Sequence, residues 1–260
     1  MTSQRLLLVF ARSPADECRH KPLGGAAPRA RTEALHRALL QRTLEAAGAV
    51  DHADVRLVTT GALAEARRLV GARVSPARLE VRAQAKGSFG ARLSQAVARA
   101  FADGYRQVVV VGGDTPALGA AELELAFHQL DDDGARPAAV LGPAPDGGFY
   151  LLGLNAFCAA AFDDRFLGTA SARVEAERAL AAAGFAVAQL GAHADIDSLH
   201  DLDRLQSALR GAVVVTDVRL RQLALVLLAP LASLALDPIA LRSARLRGPA
   251  VARGPPPSAR

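Results

Sequence analysis

A chain of 260 residues that is 51% hydrophobic can bury a sizeable core, which excludes general disorder and allows one large α/β domain or two small ones. Only 4% of residues are aromatic and Trp is absent, so stacking platforms for single-stranded nucleic acid are scarce. The net charge of +5 belongs to the carboxyl terminus, where seven Arg oppose two Asp from Gly211 onward; residues 1–210 hold 24 basic and 24 acidic side chains, and nucleic-acid binding is not expected.

Arg5 to Ala11 (RLLLVFA) predicts a first buried strand. Its apolar run is too short for a secretory signal, so a cytoplasmic location is expected. Arg12 to Arg31 then reads as a loop with three prolines and two adjacent glycines. Loops of roughly twenty residues are long for a compact domain and are commonly functional, here as a grip for phosphate. Thr32 to Ala47 places Leu35, Leu39, Leu40 and Leu44 at helical spacing, with Thr32 as N-cap and Gly48 as stop. Asp54 to Thr60 predicts a second strand and Ala62 to Val70 a second helix, followed by an alternating strand over Leu79 to Gln84. Within Lys86 to Phe101, Gly87 and Gly90 open a helix with the stripe Leu93, Val97 and Phe101. The pattern fits either amides that face a phosphate or an ordinary helix start.

Gln107 to Leu118 (QVVVVGGDTPAL) is the most informative stretch. Four consecutive valines predict a strand buried on both faces, in the middle of a sheet. Glycines at 112 and 113 turn the backbone and leave Asp114 at the strand's carboxyl end, where open α/β sheets place their ligand crevice. A helix is expected over Ala120 to Leu130, and the acidic turn Asp131 to Asp133 reads as a solvated cap. Strands follow at Pro137 to Leu141 and Phe149 to Leu154, separated by the rigid loop Gly142 to Gly148. A helix over Thr169 to Ala183, a strand over Phe185 to Leu190 and a final helix within Ala194 to Leu209 complete the pattern. This alternation argues for a mainly parallel, three-layer α/β sheet spanning residues 1–210.

Residues 211–260 differ. Leu220 to Leu236 is apolar, but Arg221, Gln222 and Pro230 make it a poor membrane span, and a docking or surface segment is expected. The Arg, Pro and Gly content beyond Asp237 predicts a disordered end. Cys18 and Cys158 match no metal-binding spacing and read as free thiols.

Three segments carry candidate chemistry. Asp114 suits a divalent cation that neutralises a diphosphate, or alternatively a helix cap or an Asx turn with Thr115 and Pro116. Asp146, in PAPDGGFY, has an Asp-Gly turn between two strands as its simpler reading. Asp195 and Asp197 precede a helix and read first as its caps.

The ordered set FARSP (10–14), ALHRALLQRTL (34–44), QAKGSFGARL (84–93), VVVVGGDTPAL (108–118), LGPAPDGGFYLLGL (141–154) and DIDSLHDL (195–202) resembles a bacterial family of glycosyltransferase-A-like proteins. That family is similar to the 2-phospholactate and molybdenum cofactor guanylyltransferases. The resemblance implies a nucleotide-diphospho-sugar transferase fold, a nucleotide over the amino-terminal half of the sheet and a divalent cation, Mg2+ or Mn2+, near Asp114. It implies that Asp114 binds the metal and diphosphate, that Gly87, Gly90 and Arg92 lie near the nucleotide, that Arg12 approaches the phosphates, and that Asp146 faces the acceptor. Two departures stand out. The first loop reads PADECRHKPLGG, without the family's Pro-Gly pair and Lys-Thr-Arg-Leu run in register, which leaves His20 and Lys21 as the substitute basic pair. Ser88 stands where the family often has an acidic residue.

The expected activity is transfer from a nucleotide sugar to a small-molecule acceptor. The alternatives are nucleotidyl transfer from a nucleoside triphosphate to a phosphorylated small molecule, and a nucleotide-binding module that has lost turnover with its first loop.

Overall fold

The computed structural model describes residues 4–21, 29–131, 136–198, 201, 203–205 and 207. All lie in the unit Met1–Leu228; the second unit, Ala229–Arg260, and the extension expected from residue 211 lie outside the described residues.

Burial on both faces of two strands sets the architecture. In β1 (Arg5–Ala11), Leu7 and Val9 point to one side of the sheet and Leu6, Leu8 and Phe10 to the other, and all five are buried. β4 (Gln107–Val111) repeats the pattern, with Val109 and Val111 on the first side and Val108 and Val110 on the second. Strands without a polar face must lie mid-sheet and be covered twice. The sheet has seven strands in the order β3-β2-β1-β4-β6-β5-β7, with β2 (Ala53–Thr59), β3 (Leu79–Ala83), β5 (Ala138–Pro143), β6 (Phe149–Leu154) and β7 (Ala186–Gln189) completing it. β6 runs antiparallel to both its neighbours, and all other pairings are parallel.

Helices cover both faces. Leu40 and Leu44 of α2 (Arg29–Gly48), Leu69 and Val70 of α3 (Leu63–Val70), and Leu123, Phe127 and Leu130 of α5 (Ala120–Leu130) pack on one side. Leu93, Val97 and Ala100 of α4 (Phe89–Ala102) and Leu180 of α6 (Ala172–Ala182) pack on the other, with Phe162 between them. The expected three-layer, mainly parallel sheet is therefore observed. Cys18 and Cys158 are both buried free thiols.

Two local expectations are corrected. The first loop is partly helical: α1 (Pro14–His20) has Ser13 as N-cap, Pro14 at its first position and Asp16 and Glu17 in its first turn. Ser-Pro followed by acidic residues is a helix-start signal that the loop reading passed over. α2 begins at Arg29, which leaves Thr32 buried inside the helix rather than capping it. Asp131 is the exposed C-cap of α5, as expected, and its carboxylate also accepts from Gln107 Nε2 and Arg5 Nη2, each at 2.9 Å, which hold its pKa below the ordinary value; Asp132 and Asp133 lie outside the described residues. The helix expected within 194–209 is described only at 201, 203–205 and 207. No helix among the described residues is long and apolar enough to cross a membrane.

Leu7→Ala, at a fully buried position on β1, should lower stability by about 2–5 kcal/mol in urea unfolding. Leu125→Ala, at a residue of α5 that is 45% exposed, should change it by less than about 0.5 kcal/mol.

Candidate active site

Strand order reverses between β1 and β4. The chain moves from β1 outward to β2 and β3, then returns to place β4 on the other flank of β1, in parallel register with Val9 opposite Val111. The loops leaving these two strands diverge and leave a crevice at their carboxyl ends. β6 runs the opposite way, so Phe149 and Tyr150 at its start reach the same end of the sheet. The resulting cavity, about 420 Å³, is lined by Ala11 and Arg12 after β1, Gly112 to Asp114 after β4, and Asp146 and Gly148 before β6. Lys21, His36, Gln84, Arg92, Asp195 and Asp197 also line it.

Asp114 does not cap α5. That cap is Gly119, whose amide donates to the Glu122 carboxylate at 3.1 Å. The Asp114 side chain instead accepts from Lys21 Nζ at 2.7 Å. Its carbonyl accepts from the Ile196 amide at 3.1 Å, and the buried Ile196 side chain packs on Leu35 and Leu39 of α2. A single apolar anchor thus fixes residues 195–197 beside the strand end. Capping after this stretch falls to Ser198 and Asp201, since the Asp201 carboxylate accepts from the Ser198 amide at 2.9 Å and the Ser198 hydroxyl accepts from the Asp201 amide at 3.3 Å. Asp197 turns to Lys21 and makes an ion pair with its ammonium. Asp195, Asp197 and Asp146 offer carboxylate oxygens within 4.8 Å of one another. The reading of Asp195 and Asp197 as helix caps is corrected accordingly; a two-residue repeat of Asp around a lone Ile was the signal available.

Crowding of carboxylates has an electrostatic consequence. Burial, reinforced by the negative charges of Asp197, Asp114 and Asp146, pushes the Asp195 carboxyl up to about 7. Lys21 shifts in the opposite sense to its burial. Desolvation would lower its pKa, but the charge and hydrogen bond of Asp114, with those of Asp197, hold it above the ordinary value.

Lys21 is positioned by its backbone. It ends α1 by donating its amide to the Glu17 carbonyl at 2.7 Å, and its carbonyl pairs with Nε2 of buried His36 at 3.0 Å. Glu17 also accepts from Arg12 Nη1 at 3.1 Å, which draws Arg12 to the rim. The first loop departs from the resembled pattern, yet it delivers both cations to the cavity. Residues 22–28 lie outside the described residues. His36 and Glu17 were not singled out from the sequence, because a lone His on a leucine-rich helix and a Glu in a charged segment carry no distinguishing pattern.

The start of α4 is arranged differently from expectation. Gly87 and Gly90 do not line the cavity, whereas Phe89 and Arg92 do. The Gly90 amide donates to Asp164 Oδ1 at 2.8 Å, and the Ser88 hydroxyl bonds to the same carboxylate. An internal anion therefore occupies this helix start. Gly90 is glycine for a packing reason, since a Cβ there would lie 2.2 Å from the Phe162 carbonyl oxygen. Arg92 lies 5.9 Å from the Phe10 ring centre and is held by the Gln84 side-chain oxygen. Asp146 is exposed in its turn, where Oδ1 accepts from the Gly148 amide at 2.9 Å. Between them Gly147 has φ of +92°, and a Cβ would meet the Ala170 carbonyl oxygen at 1.9 Å. Glycine is required there.

A sheet of this order and direction, with its reversal between β1 and β4, has the nucleotide-diphospho-sugar transferase fold. Residues 43–169, just under half of the chain, match the family described as "Uncharacterized protein conserved in bacteria (DUF2064)". The crystal structure of a protein from Desulfovibrio desulfuricans G20, provisionally named a nucleotide-diphospho-sugar transferase, is similar with a TM-score of 0.69 and 26% identity, covering 86% of this chain and 97% of that one. The 4-diphosphocytidyl-2C-methyl-D-erythritol synthase of Anaerococcus prevotii DSM 20548 shares the fold alone, with a TM-score of 0.53 and 8% identity over 80% of this chain and 97% of that one. No curated protein matches the chain at a significant level.

The raised pKa of Asp195 sets a pH dependence. Its folded pKa exceeds the ordinary carboxyl value of 3.8, so its protonated form favours the fold, and that contribution is lost as pH rises from 3.8 through about 7. Asp195→Asn should therefore raise Tm above about pH 7, with the gain shrinking toward nothing near pH 4, in melting curves recorded against wild type.

Proposed function

We propose that this cavity is the active site of a metal-dependent transferase that takes a nucleotide sugar as donor and a small molecule as acceptor. One observation carries the reading: among the described residues five carboxylates, Glu17, Asp114, Asp146, Asp195 and Asp197, share the cavity with three strongly basic side chains, Arg12, Lys21 and Arg92. A cavity with that balance repels a diphosphate unless a further cation enters with it. The donor set fits such a cation. Carboxylate oxygens are the ligands hard divalent ions prefer, and an ammonium already bridges Asp114 and Asp197, so these two carboxylates converge on one positive charge. Asp114 and Asp197 would hold Mg2+ or Mn2+, with Asp146 and Asp195 close by. The bound ion would neutralise the diphosphate and steady it as a leaving group.

The chain's own residues supply the remaining functions. Arg12 at the rim and Lys21 at the end of α1 contact the phosphates, and Arg92 with the Phe10 and Phe89 rings walls the end of the cavity that takes the nucleoside. Asp146, on the turn before β6, faces the acceptor and takes the proton of its hydroxyl as that oxygen bonds to the sugar's anomeric carbon and the bond to the diphosphate breaks. The nearness of the provisionally named sugar transferase, the one relative described above whose identity exceeds 25%, favours the nucleotide sugar over a triphosphate donor.

A thermal-shift panel with Mg2+ or Mn2+ tests this. A nucleotide sugar at about 100 times its Kd should add about 2.7 kcal/mol of stability. Stabilisation by triphosphates alone would favour nucleotidyl transfer, and stabilisation by neither would remove the nucleotide site. Asp114→Asn should lose the metal-dependent part of the shift; retention of that part would displace Asp114 from its assigned role.

A further inference from the structure

We infer that Lys21 is a built-in counter-cation of the Asp114–Asp197 pair, which a divalent cation has to displace, so that the cation and a phosphate-bearing ligand enter the cavity as a mutually dependent pair. The inference rests on the metal-dependent reading above and names how that same site is regulated.

The geometry is specific. Lys21 Nζ lies 2.7 Å from Asp114 Oδ2, pairs with Asp197, and is 3.7 Å from Glu17 Oε1. The backbone on which it swings is fixed, by the Glu17 carbonyl on its amide and His36 on its carbonyl. The four-carbon stem carries the ammonium from that anchor to the carboxylate pair in the cavity wall. A lysine ammonium donates three hydrogen bonds and accepts none. Once a divalent cation takes the carboxylate oxygens, the ammonium faces a like charge and needs an anionic partner, and a phosphate is the partner a cavity of this size admits.

The converse holds for the anion. With Lys21 committed to Asp114 and Asp197, and Arg12 committed to Glu17, an incoming phosphate meets carboxylates whose cations are already engaged. Adding the divalent cation releases the ammonium toward the phosphate. Each ligand therefore raises the affinity of the other, and the coupling is reciprocal. A purely structural ion pair makes the opposite prediction, since deleting Lys21 would then loosen the carboxylate pair and weaken cation binding.

Free Mn2+ measured by electron paramagnetic resonance, on the full chain, separates these outcomes. Without any anion, Lys21→Met should bind Mn2+ roughly tenfold or more tightly than wild type, because the competing charge is gone. Pyrophosphate, corrected for its own Mn2+ complex in protein-free controls, should tighten Mn2+ binding by wild type more than by Lys21→Met. Equal or weaker Mn2+ binding by a folded Lys21→Met protein overturns the inference and leaves the metal site standing. Should Lys21→Met not fold, as judged by circular dichroism, wild type decides: Mn2+ affinity indifferent to pyrophosphate overturns the inference. Mn2+ bound by neither protein under any of these conditions removes the cation site itself, and the inference with it.

Discussion

The parallel pairing of β1 with β4, at the point where the strand order turns back on itself, is the constraint from which the site follows. β1 and β4 are buried on both faces, so they occupy the middle of the sheet, and their register sets Ala11 and Arg12 beside Gly112 to Asp114. Because the chain leaves β1 in one direction and β4 in the other, no crossover fills the space above their carboxyl ends. The antiparallel β6 then brings the Asp146 turn to the same rim. Three segments far apart in sequence meet because of strand order and direction.

Electrostatics at this rim is a balance held by proximity. Four Asp side chains lie near one another, and the structure relieves their repulsion in two ways: an ammonium is inserted between Asp114 and Asp197, and the Asp195 carboxyl is driven toward its neutral form. The apolar anchoring of Ile196 on α2 is what makes the crowding possible, since hydrophobic burial holds the charged residues on either side of it near Asp114. The same logic applies to α1, where a short capped helix and a hydrogen bond from buried His36 aim Lys21 inward.

A second anion-binding arrangement is already satisfied within the chain. Asp164 takes the Gly90 amide and the Ser88 hydroxyl at the start of α4, so this helix start, which in isolation resembles a phosphate cradle, is closed by a side chain. Ser88 stands where the resembled family often has an acidic residue, and the carboxylate arrives here from Asp164 instead. Glycine at 90 answers a contact with the Phe162 carbonyl.

The local pattern of the sequence determined the strands and helices and the place of Asp114. An uninterrupted valine run announces a strand with two apolar neighbours, and paired glycines before Asp114 announce a sharp exit at its end. Those signals are local, arising from side-chain periodicity and backbone freedom within a few residues. The helix of the first loop was legible as Ser-Pro-Ala-Asp-Glu, although surrounding prolines and glycines concealed it. Only the tertiary structure decided that Asp195 and Asp197 line the crevice rather than cap a helix, that the Gly90 amide pairs with Asp164 while its Cα packs against Phe162, and that Lys21 reaches Asp114, 93 positions away in sequence. Each of those outcomes depends on which strands are neighbours and on one buried isoleucine, and pairings between distant segments leave no periodicity in the chain that makes them.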